Sequence, residues 1–423
     1  MWFRQEIQSL LWQTGVGVLS DTAETPSDAL AVAGVRLAAV ASGVRYADRL
    51  DLVLVELGHR SSVCGVFTRN AFCAAPVVVA RQHLQSAATR YFLINAGNAN
   101  AGTGEQGEDA ALKCCSELAR LTGVTAEQVL PFSTGVIGEP LPVQKILSAM
   151  PTLLRELDAN GWHRAAMGIM TTDTCPKLAS SCLTLAGRKV VVSGIAKGAG
   201  MLRPKMATML AYICTDLEVA RPELQSLLQG AVSHSFNRIT VDGDTSTNDS
   251  CMLAATGESG VSLASLSETE RVEFAGALGA LCTQLATALI RDAEGASKFV
   301  TVTVSGGLNS AECLRVAYTI AESPLVKTAL FASDPNWGRI LAAVGRSDIE
   351  ALDISKVTIF LGGVLVVDKG SVAPTYRDQL GQQEMDHDDI SIAVKLGRGT
   401  ASETVWTSDL SHDYVRINAG YRT

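Results

Sequence analysis

Residues 197–216 read KGAGMLRPKMATMLAYICTD. Two glycines near the start of this stretch predict a loop, and the apolar run that follows predicts a strand over Thr208–Cys214. On spacing alone, Thr208 is a strand-entry residue with a structural role. A catalytic role is the alternative, since none of the six histidines stands in a GxSxG-like or cysteine-adjacent setting that would form a triad.

Strand-like and helix-like segments alternate on both sides of this stretch, which indicates a mixed α and β fold. A long amphipathic helix is predicted over Glu268–Asp292, because apolar residues recur there at spacings of three and four. Runs rich in β-branched residues predict strands at Leu52–Leu57, Tyr91–Asn95, Lys189–Ile195, Arg238–Val241 and Phe299–Val304.

The end of the long helix is the predicted domain boundary in this chain of 423 residues. A catalytic domain is expected over residues 1–296, and a smaller α+β domain over residues 297–423. Lys356–Asp368 predicts a hairpin in the second domain, turning at Gly362 and Gly363. No Pro/Ser-rich linker separates the two units, so we expect them to pack tightly.

Composition excludes several classes of protein. Apolar residues make up 47% and charged residues 18%, which is typical of a globular enzyme and not of a disordered chain. The net charge is −8, and no long Lys/Arg cluster is available for nucleic acid. No apolar run approaches the ~20 residues that span a bilayer. The first residues, MWFRQEIQSLLWQ, contain Glu6 in their only apolar region and lack a cleavage site, so no signal peptide is expected and the cytoplasm is predicted.

The ten cysteines form no CxxC pair and have no histidine at ligand spacing. This pattern argues against a disulfide framework and against a structural metal site. We predict buried, reduced thiols and no bound metal.

A GxGxxG pattern at residues 102–107 raises the possibility of a dinucleotide site. The segment Ala96–Ala101 separates the pattern from the preceding strand, and the acidic ribose partner expected ~20 residues later is missing. A turn or loop near a site is therefore predicted before a helix over Asp109–Leu121, with no nicotinamide cofactor.

Two acidic clusters remain. Asp242–Asp249 reads DGDTSTND and lacks the glycine and closing glutamate of a calcium loop, so turn capping is predicted, with a polar active-site wall as the alternative. Asp386–Asp389 reads DHDD and is predicted to be solvated surface.

A series of motifs then points to a known family. Their order along the chain is NAGNAN (95–100), TGEQG (103–107), STGVIGE (133–139), TTDT (171–174), KGAGM (197–201), MATML (206–210), 236–249, EG (294–295), NWGR (336–339) and the terminal segment 414–423. Each motif alone is weak. Together they resemble, over nearly the whole chain, the ornithine acetyltransferase family of arginine biosynthesis.

The resemblance implies a role for each matching residue. Thr208 would attack the carbonyl of Ala207, split the precursor into an α chain (1–207) and a β chain starting at 208, and then serve as the nucleophile. Its own α-amino group, with an ordinary pKa of about 7.7–8.0, can act as the base. Thr134 and Gly135 would supply the oxyanion hole. The substrate-binding positions of the family correspond to Thr171, Lys197, Thr208, Glu294, Asn418 and Thr423.

The resemblance also implies the reaction and the architecture. N2-acetylornithine would acetylate Thr208, and glutamate would then accept the acetyl group, without a cofactor. The sequence leaves open whether acetyl-CoA is also a donor. Charge suggests that Lys197 binds the substrate carboxylate and Glu294 its side-chain amine. The fold expected is a four-layer α-β-β-α sandwich with a smaller C-terminal domain, in an α2β2 heterotetramer. Lys205 departs from the family, where asparagine is common.

Two rival functions stay open. An aminopeptidase or amidase could use the same N-terminal nucleophile, but it would not need the acceptor-binding residues. A binding protein of this fold that never cleaves is the other alternative.

Self-cleavage can be tested directly. Denatured protein should migrate as two chains, with Thr208 at the new N-terminus, whereas Thr208→Ala should stay one inactive chain because it lacks the attacking hydroxyl. Gel electrophoresis with N-terminal sequencing measures both. Active protein that is uncut would contradict the mechanism.

Overall fold

The computed structural model describes residues 29–203 and 209–420 of the chain. Ala207, Thr208 and Thr423, to which the family resemblance assigns roles, lie outside the described residues, as do Lys205 and the N-terminal segment examined for a signal peptide.

The described residues form strands β1 (Val35–Val40), β2 (Leu52–Leu57), β3 (Ser62–Phe67), β4 (Tyr91–Asn98), β5 (Val129–Val136), β6 (Lys177–Leu185), β7 (Arg188–Lys197), β8 (Leu210–Thr215), β9 (Ile239–Thr240), β10 (Ser250–Ala255), β11 (Phe299–Gly307), β12 (Thr358–Leu361), β13 (Val364–Asp368), β14 (Ser371–Val372), β15 (Asp389–Lys395) and β16 (Ala401–Ser408). The helices are α1 (Ala75–Ser86), α2 (Gly104–Thr122), α3 (Val143–Arg155), α4 (Trp162–Gly168), α5 (Arg221–His234), α6 (Glu268–Arg291), α7 (Ser310–Ala321), α8 (Pro324–Phe331), α9 (Trp337–Gly345), α10 (Asp378–Met385) and α11 (His412–Gly420).

Two sheets lie in the first part of the chain. The first has the strand order β1-β2-β4-β5, in which only β4 and β5 run parallel. The second has the order β3-β10-β8-β7-β6, in which only β10 and β8 run parallel. Parallel neighbours place their carboxyl ends at one edge, so β5 brings the STG motif beside the end of β4.

The two sheets share one hydrophobic core, as the continuous apolar character of their strands requires. In β2, Val53, Val55 and Leu57 point toward the second sheet, whereas Leu52 and Leu54 belong to a different cluster on the opposite face. Phe92, Phe132 and Tyr212 bring aromatic rings from both sheets together, with centroids 5.2–5.8 Å apart.

Helices cover the outer faces of both sheets. Residues of α2 and α3 pack on the first sheet, and residues of α5 and α6 pack on the second. Helix α6 begins with a capping box, in which Ser267 and Glu270 bond each other's backbone N–H groups. The sequence prediction of an α+β fold is confirmed.

A third sheet has the order β14-β13-β12-β15-β11-β16-β9 and its own core with α7, α8 and α9. Its edge strand β9 comes from the earlier part of the chain, where Ile239 and Thr240 pair with Trp406 and Thr407 of β16. The third sheet therefore joins the two predicted domains through backbone hydrogen bonds.

Most sequence-predicted elements are present, with three corrections. Residues Arg238 and Val241 lie outside the short strand β9, since Phe236–Arg238 forms a 3-10 turn. Helix α2 begins at Gly104, five residues before the predicted start at Asp109. The ten cysteines are free, but Cys175 and Cys182 are exposed and Cys73 is half-buried, so the prediction that all are buried was wrong.

One helix of the described part of the chain, α6, is long and apolar enough to cross a membrane. Phe274, Leu278 and Leu285 on this helix are fully buried in the core of the second sheet. The apolar character of α6 is therefore explained by its place in the core.

Truncating a side chain that α6 buries in this core should destabilise the protein. Leu285 is fully buried, so Leu285→Ala should lower the free energy of unfolding by about 2–5 kcal/mol through lost contacts and a residual cavity. Glu273→Ala, at an exposed site of the same helix, should change it by less than about 0.5 kcal/mol. Denaturant titration measures both, and equal effects would contradict this packing.

Candidate active site

The STG motif lies at the end of β5, where the backbone makes an unusually close approach. Gly135 has φ +131°, and a Cβ there would lie 2.3 Å from the carbonyl carbon of Gly97 on β4. The strand register shifts at the same point, between Gly97 and Asn98. Only glycine fits this close contact between the strands, and Gly135 has a backbone conformation that other residues rarely adopt.

Polar side chains fix the strand leading into this turn. The Ser133 hydroxyl donates to Asn95 Oδ1 at 2.6 Å. The Asn248 side-chain amide donates to the carbonyl of Ser133 at 2.9 Å and to that of Ala99 at 2.6 Å. These contacts come from β4 and from the polar loop before β10, so two parts of the chain hold the turn in place.

Lys197, the last residue of β7, joins two predicted site residues. Its Nζ donates to Thr171 Oγ1 at 2.7 Å and to Thr134 Oγ1 at 3.1 Å. A lysine ammonium can only donate, so each threonine oxygen acts as the acceptor. The hydroxyl hydrogen of Thr134 is consequently left to donate to a different acceptor.

A second buried lysine and two carboxylates lie behind Lys197. Asp173 Oδ1 accepts from Lys177 Nζ at 2.6 Å and from the Gly198 N–H at 2.8 Å, and Asp173 Oδ2 accepts from the Thr171 N–H at 3.0 Å. Lys177 Nζ also contacts Asp292 Oδ2. The four charged side chains therefore alternate in sign.

The charges in this cluster shift one another's pKa values. Burial lowers the pKa of Lys197, and the attraction of Asp173 only partly offsets it. Burial opposes ionisation of Asp173, but Lys197 and Lys177 together hold its pKa below the usual range. For Lys177, burial is outweighed by the attraction of Asp173 and Asp292, which raises its pKa.

Glu294 and Asn418 form a second group beside the same loop. Asn418 Nδ2 donates to Glu294 Oε2 at 2.7 Å, so helix α11 packs back onto the loop that follows α6. The Glu294 N–H donates to the carbonyl of Ala199 at 2.9 Å, two residues beyond Lys197. Gly200 faces this carboxylate, since a Cβ there would lie 2.3 Å from Glu294 Oε2.

The polar loop Asp242–Asp249 contacts the segment that follows Lys197 and the C-terminal helix α11. Asp242 accepts from the N–H groups of Met201 and Leu202 at 2.6 and 2.9 Å, and from the Tyr414 hydroxyl at 3.1 Å. Turn capping also occurs, since the Asp244 N–H donates to Asp242 Oδ1 at 3.1 Å. Turn capping is therefore confirmed for this cluster, and a polar active-site wall stays a prediction.

Three other sequence motifs lie at a helix start, on the exposed surface and at a helix cap. The GxGxxG pattern spans the start of α2, where Asn100 Nδ2 donates to the Gly107 carbonyl at 2.8 Å. The Asp386–Asp389 cluster is exposed, as predicted. The Asn336 side chain caps α9 by accepting from the Arg339 N–H.

The described residues thus bring six predicted site residues to one region: Thr134, Gly135, Thr171, Lys197, Glu294 and, on the tail, Asn418. Sequence reasoning did not identify Lys177, Asp292 or the anchoring role of Asp242. Asp173 was within the quoted TTDT motif, and Lys177, four residues later, carried no signal of its own.

Comparison with known proteins identifies the relatives of this arrangement. The family model described as ArgJ family matches residues 36–423. This chain belongs to the ArgJ family. The arginine biosynthesis bifunctional protein ArgJ of Pseudomonas fluorescens is 55% identical over 398 residues, which cover 93% of this chain and 97% of that protein. The predicted membership of the ornithine acetyltransferase family is confirmed, and with it the prediction that the chain is an enzyme.

Two solved structures of the ArgJ family are also similar. The ArgJ structure from Bacillus halodurans is 37% identical, covers 51% of this chain and 100% of its own, and has a TM-score of 0.48. The ornithine acetyltransferase of Mycobacterium tuberculosis, solved in complex with ornithine, is 34% identical, covers 43% of this chain and 97% of its own, and has a TM-score of 0.38.

The close contact between β4 and β5 predicts that one added methyl group at Gly135 lowers the rate of acetyl transfer. Gly135→Ala should lower the rate of acetyl transfer ~10²-fold or more, because the new Cβ displaces the backbone N–H proposed for the oxyanion. Gly138→Ala is the matched control, since Gly138 also has positive φ but open space around its Cβ. The control should cost only about 1 kcal/mol in the free energy of unfolding. Equal rates for the two variants would contradict the geometry.

Proposed function

We propose that this chain transfers the acetyl group of N2-acetylornithine to glutamate through an acetyl-threonine on Thr208. One observation carries the proposal: Lys197 contacts both Thr134 and Thr171, and Glu294 is bonded through its N–H to Ala199, two residues beyond Lys197. A buried cation with a half-buried anion near enough to interact with it suits an amino acid with a carboxylate and a side-chain amine. N-acetylornithine has both charges.

The proposed chemistry begins with self-cleavage of the Ala207–Thr208 bond, which gives an α chain of residues 1–207 and a β chain starting at 208. The hydroxyl of Thr208 then attacks the acetyl carbonyl, and its proton passes to the new α-amino group. The oxyanion receives hydrogen bonds from the Thr134 hydroxyl and the Gly135 N–H. The hydrogen bond from Lys197 to Thr134 supports this role, because it leaves the hydroxyl hydrogen available for donation.

Collapse of the tetrahedral intermediate breaks the bond between the acetyl carbon and N2 of ornithine. The leaving amine takes the proton held by the threonine amine, and ornithine departs. Glutamate then attacks the acetyl-threonine by the same steps in reverse, giving N-acetylglutamate and free Thr208. We assign the substrate carboxylate to Lys197 and Thr171, and the side-chain amine to Glu294, with Asn418 and Thr423 closing the site from the tail.

The architecture fits the remaining expectations. We propose that α2 and α3, the first sheet, the second sheet, and α5 and α6 stack as the four layers of an α-β-β-α sandwich, which the shared and outer cores support. The domain of residues 1–296 would hold the catalytic groups, and that of 297–423 would supply the tail. We further propose an α2β2 assembly in the cytoplasm, without a cofactor.

The aminopeptidase alternative uses the same nucleophile with water as acceptor. The family match over residues 36–423 favours the transferase, and so does the pairing of Asn418 with Glu294, which a hydrolase of small amides has no need to retain.

Kinetics test the proposal, because one nucleophile that serves two amino acids in turn implies double displacement. Initial rates at varied N2-acetylornithine and several fixed glutamate concentrations should give parallel double-reciprocal lines. Acetyl-labelled donor without glutamate should leave label on the β chain of the wild type and none on Thr208→Ala.

Intersecting lines without trapped label would indicate direct transfer in a ternary complex. Release of acetate at the full rate without glutamate would indicate a hydrolase. The same assay with acetyl-CoA as the donor decides whether that compound also acetylates glutamate.

A further inference from the structure

Three charged side chains behind the active site have no role in the proposed reaction. The side chains of Lys177, Asp173 and Asp292 are 1%, 0% and 7% exposed, respectively. Lys177 Nζ lies 2.6 Å from Asp173 Oδ1 and also contacts Asp292. Burying such groups is expensive, and apolar residues of similar volume often fill the same space at lower cost. Their presence beside Lys197 therefore requires an explanation.

Asp173 forms salt bridges with two lysines but accepts a hydrogen bond from only one of them, Lys177. Its carboxylate is 2.6 Å from Lys177 Nζ and 3.9 Å from Lys197 Nζ. Lys197 directs its hydrogen bonds instead to Thr171 and Thr134. A buried carboxylate without another cation would attract the nearest ammonium strongly. Lys177 thus occupies the carboxylate that would otherwise draw Lys197 away from the site.

Asp292 is the second carboxylate that contacts Lys177. Its carboxylate contacts Lys177 and accepts from the Thr174 N–H at 2.9 Å, which fixes the loop that carries Thr171 and Asp173. Asp292 stands two residues before Glu294, the residue assigned to the substrate amine, so both belong to the loop that follows α6.

We propose that Lys177 is a positioning residue, which holds Asp173 so that Lys197 stays on Thr134 and Thr171 and remains available to a substrate carboxylate. This inference rests on the proposed function. Without Lys177, Asp173 pairs with Lys197, and the carboxylates of acetylornithine and glutamate lose their partner. Lys177 thereby acts on substrate binding without contacting the substrate.

The direction of the pH effect follows from the charges that face Lys197. Asp173, Glu294 and Asp249 raise its pKa, while Lys177 lowers it. Removing Lys177 takes away the repulsion and brings Asp173 closer, so the pKa of Lys197 rises. If substrate binding needs the charged ammonium, the alkaline limb of kcat/KM moves to higher pH.

The experiment compares Lys177→Met with wild type. We expect KM for both amino-acid substrates to rise ~10-fold or more, as for loss of a hydrogen bond to a charged group, and the alkaline limb of kcat/KM to move upward. Lys189→Met on β7 is the matched control, since Lys189 is exposed, and it should leave KM and the pH profile unchanged. Should Lys177→Met not fold, Lys177→Gln, which still donates to one aspartate, should shift both quantities in the same direction by less.

A second pair of variants tests whether Lys177 acts through Asp173. In an Asp173→Asn background, adding Lys177→Met should leave KM unchanged, because no carboxylate remains for Lys177 to occupy. A Lys177 variant that folds with wild-type KM and pH profile would overturn the inference, as would an equal rise in KM in both backgrounds. If wild type itself transfers no acetyl group, the proposed function fails, and the inference fails with it.

Discussion

The crossing of β4 and β5 at Gly97 and Gly135 is the constraint on which the rest of the site depends. A Cβ at Gly135 would lie 2.3 Å from the Gly97 carbonyl carbon, so the two strands can meet this closely only because position 135 carries no side chain. This contact determines where β5 ends and therefore where Thr134 lies. Because the shared core holds both sheets together, the end of β7 lies opposite this turn and brings Lys197 to Thr134.

Charge balance is the second determinant of the site. Lys197 is 8% exposed, and burial alone would favour its neutral form. The surrounding carboxylates oppose this effect, while Lys177 takes the hydrogen bond of the nearest carboxylate, Asp173. The site therefore needs two lysines and two aspartates to present one ammonium group. Electrostatic support of this kind is costly in stability, which is typical of functional sites.

Sequence patterns predicted the elements that local chemistry determines. Helix α6 has its apolar stripe and capping box within and directly before its own residues, and β2 is apolar at every position except Glu56 because both of its faces are buried. The hairpin of β12 and β13 follows from its two glycines. Family motifs predicted Thr134, Lys197 and Glu294, which the fold brings to one region.

Long-range features could not be predicted from such patterns. Strand β9 has only two paired residues and exists because β16, 167 positions later, offers its edge. Lys177 resembles any strand-entry lysine until the fold places Asp292 beside it. Cys175 and Cys182 are exposed although the composition suggested burial, because they lie on a loop and on the edge strand β6. For β9 and for Lys177, the residues that decide the structure are distant along the chain.

The order β3-β10-β8-β7-β6 has a mechanical consequence for a protein cut between residues 207 and 208. Strands β3, β7 and β6 would then belong to one polypeptide, and β10 and β8 to the other. Strands β10 and β8 of the second polypeptide would lie between β3 and β7 of the first. The peptides would be interleaved, and separating them would require breaking two complete rows of backbone hydrogen bonds. Cleavage would therefore create a free amine without creating a dissociable subunit.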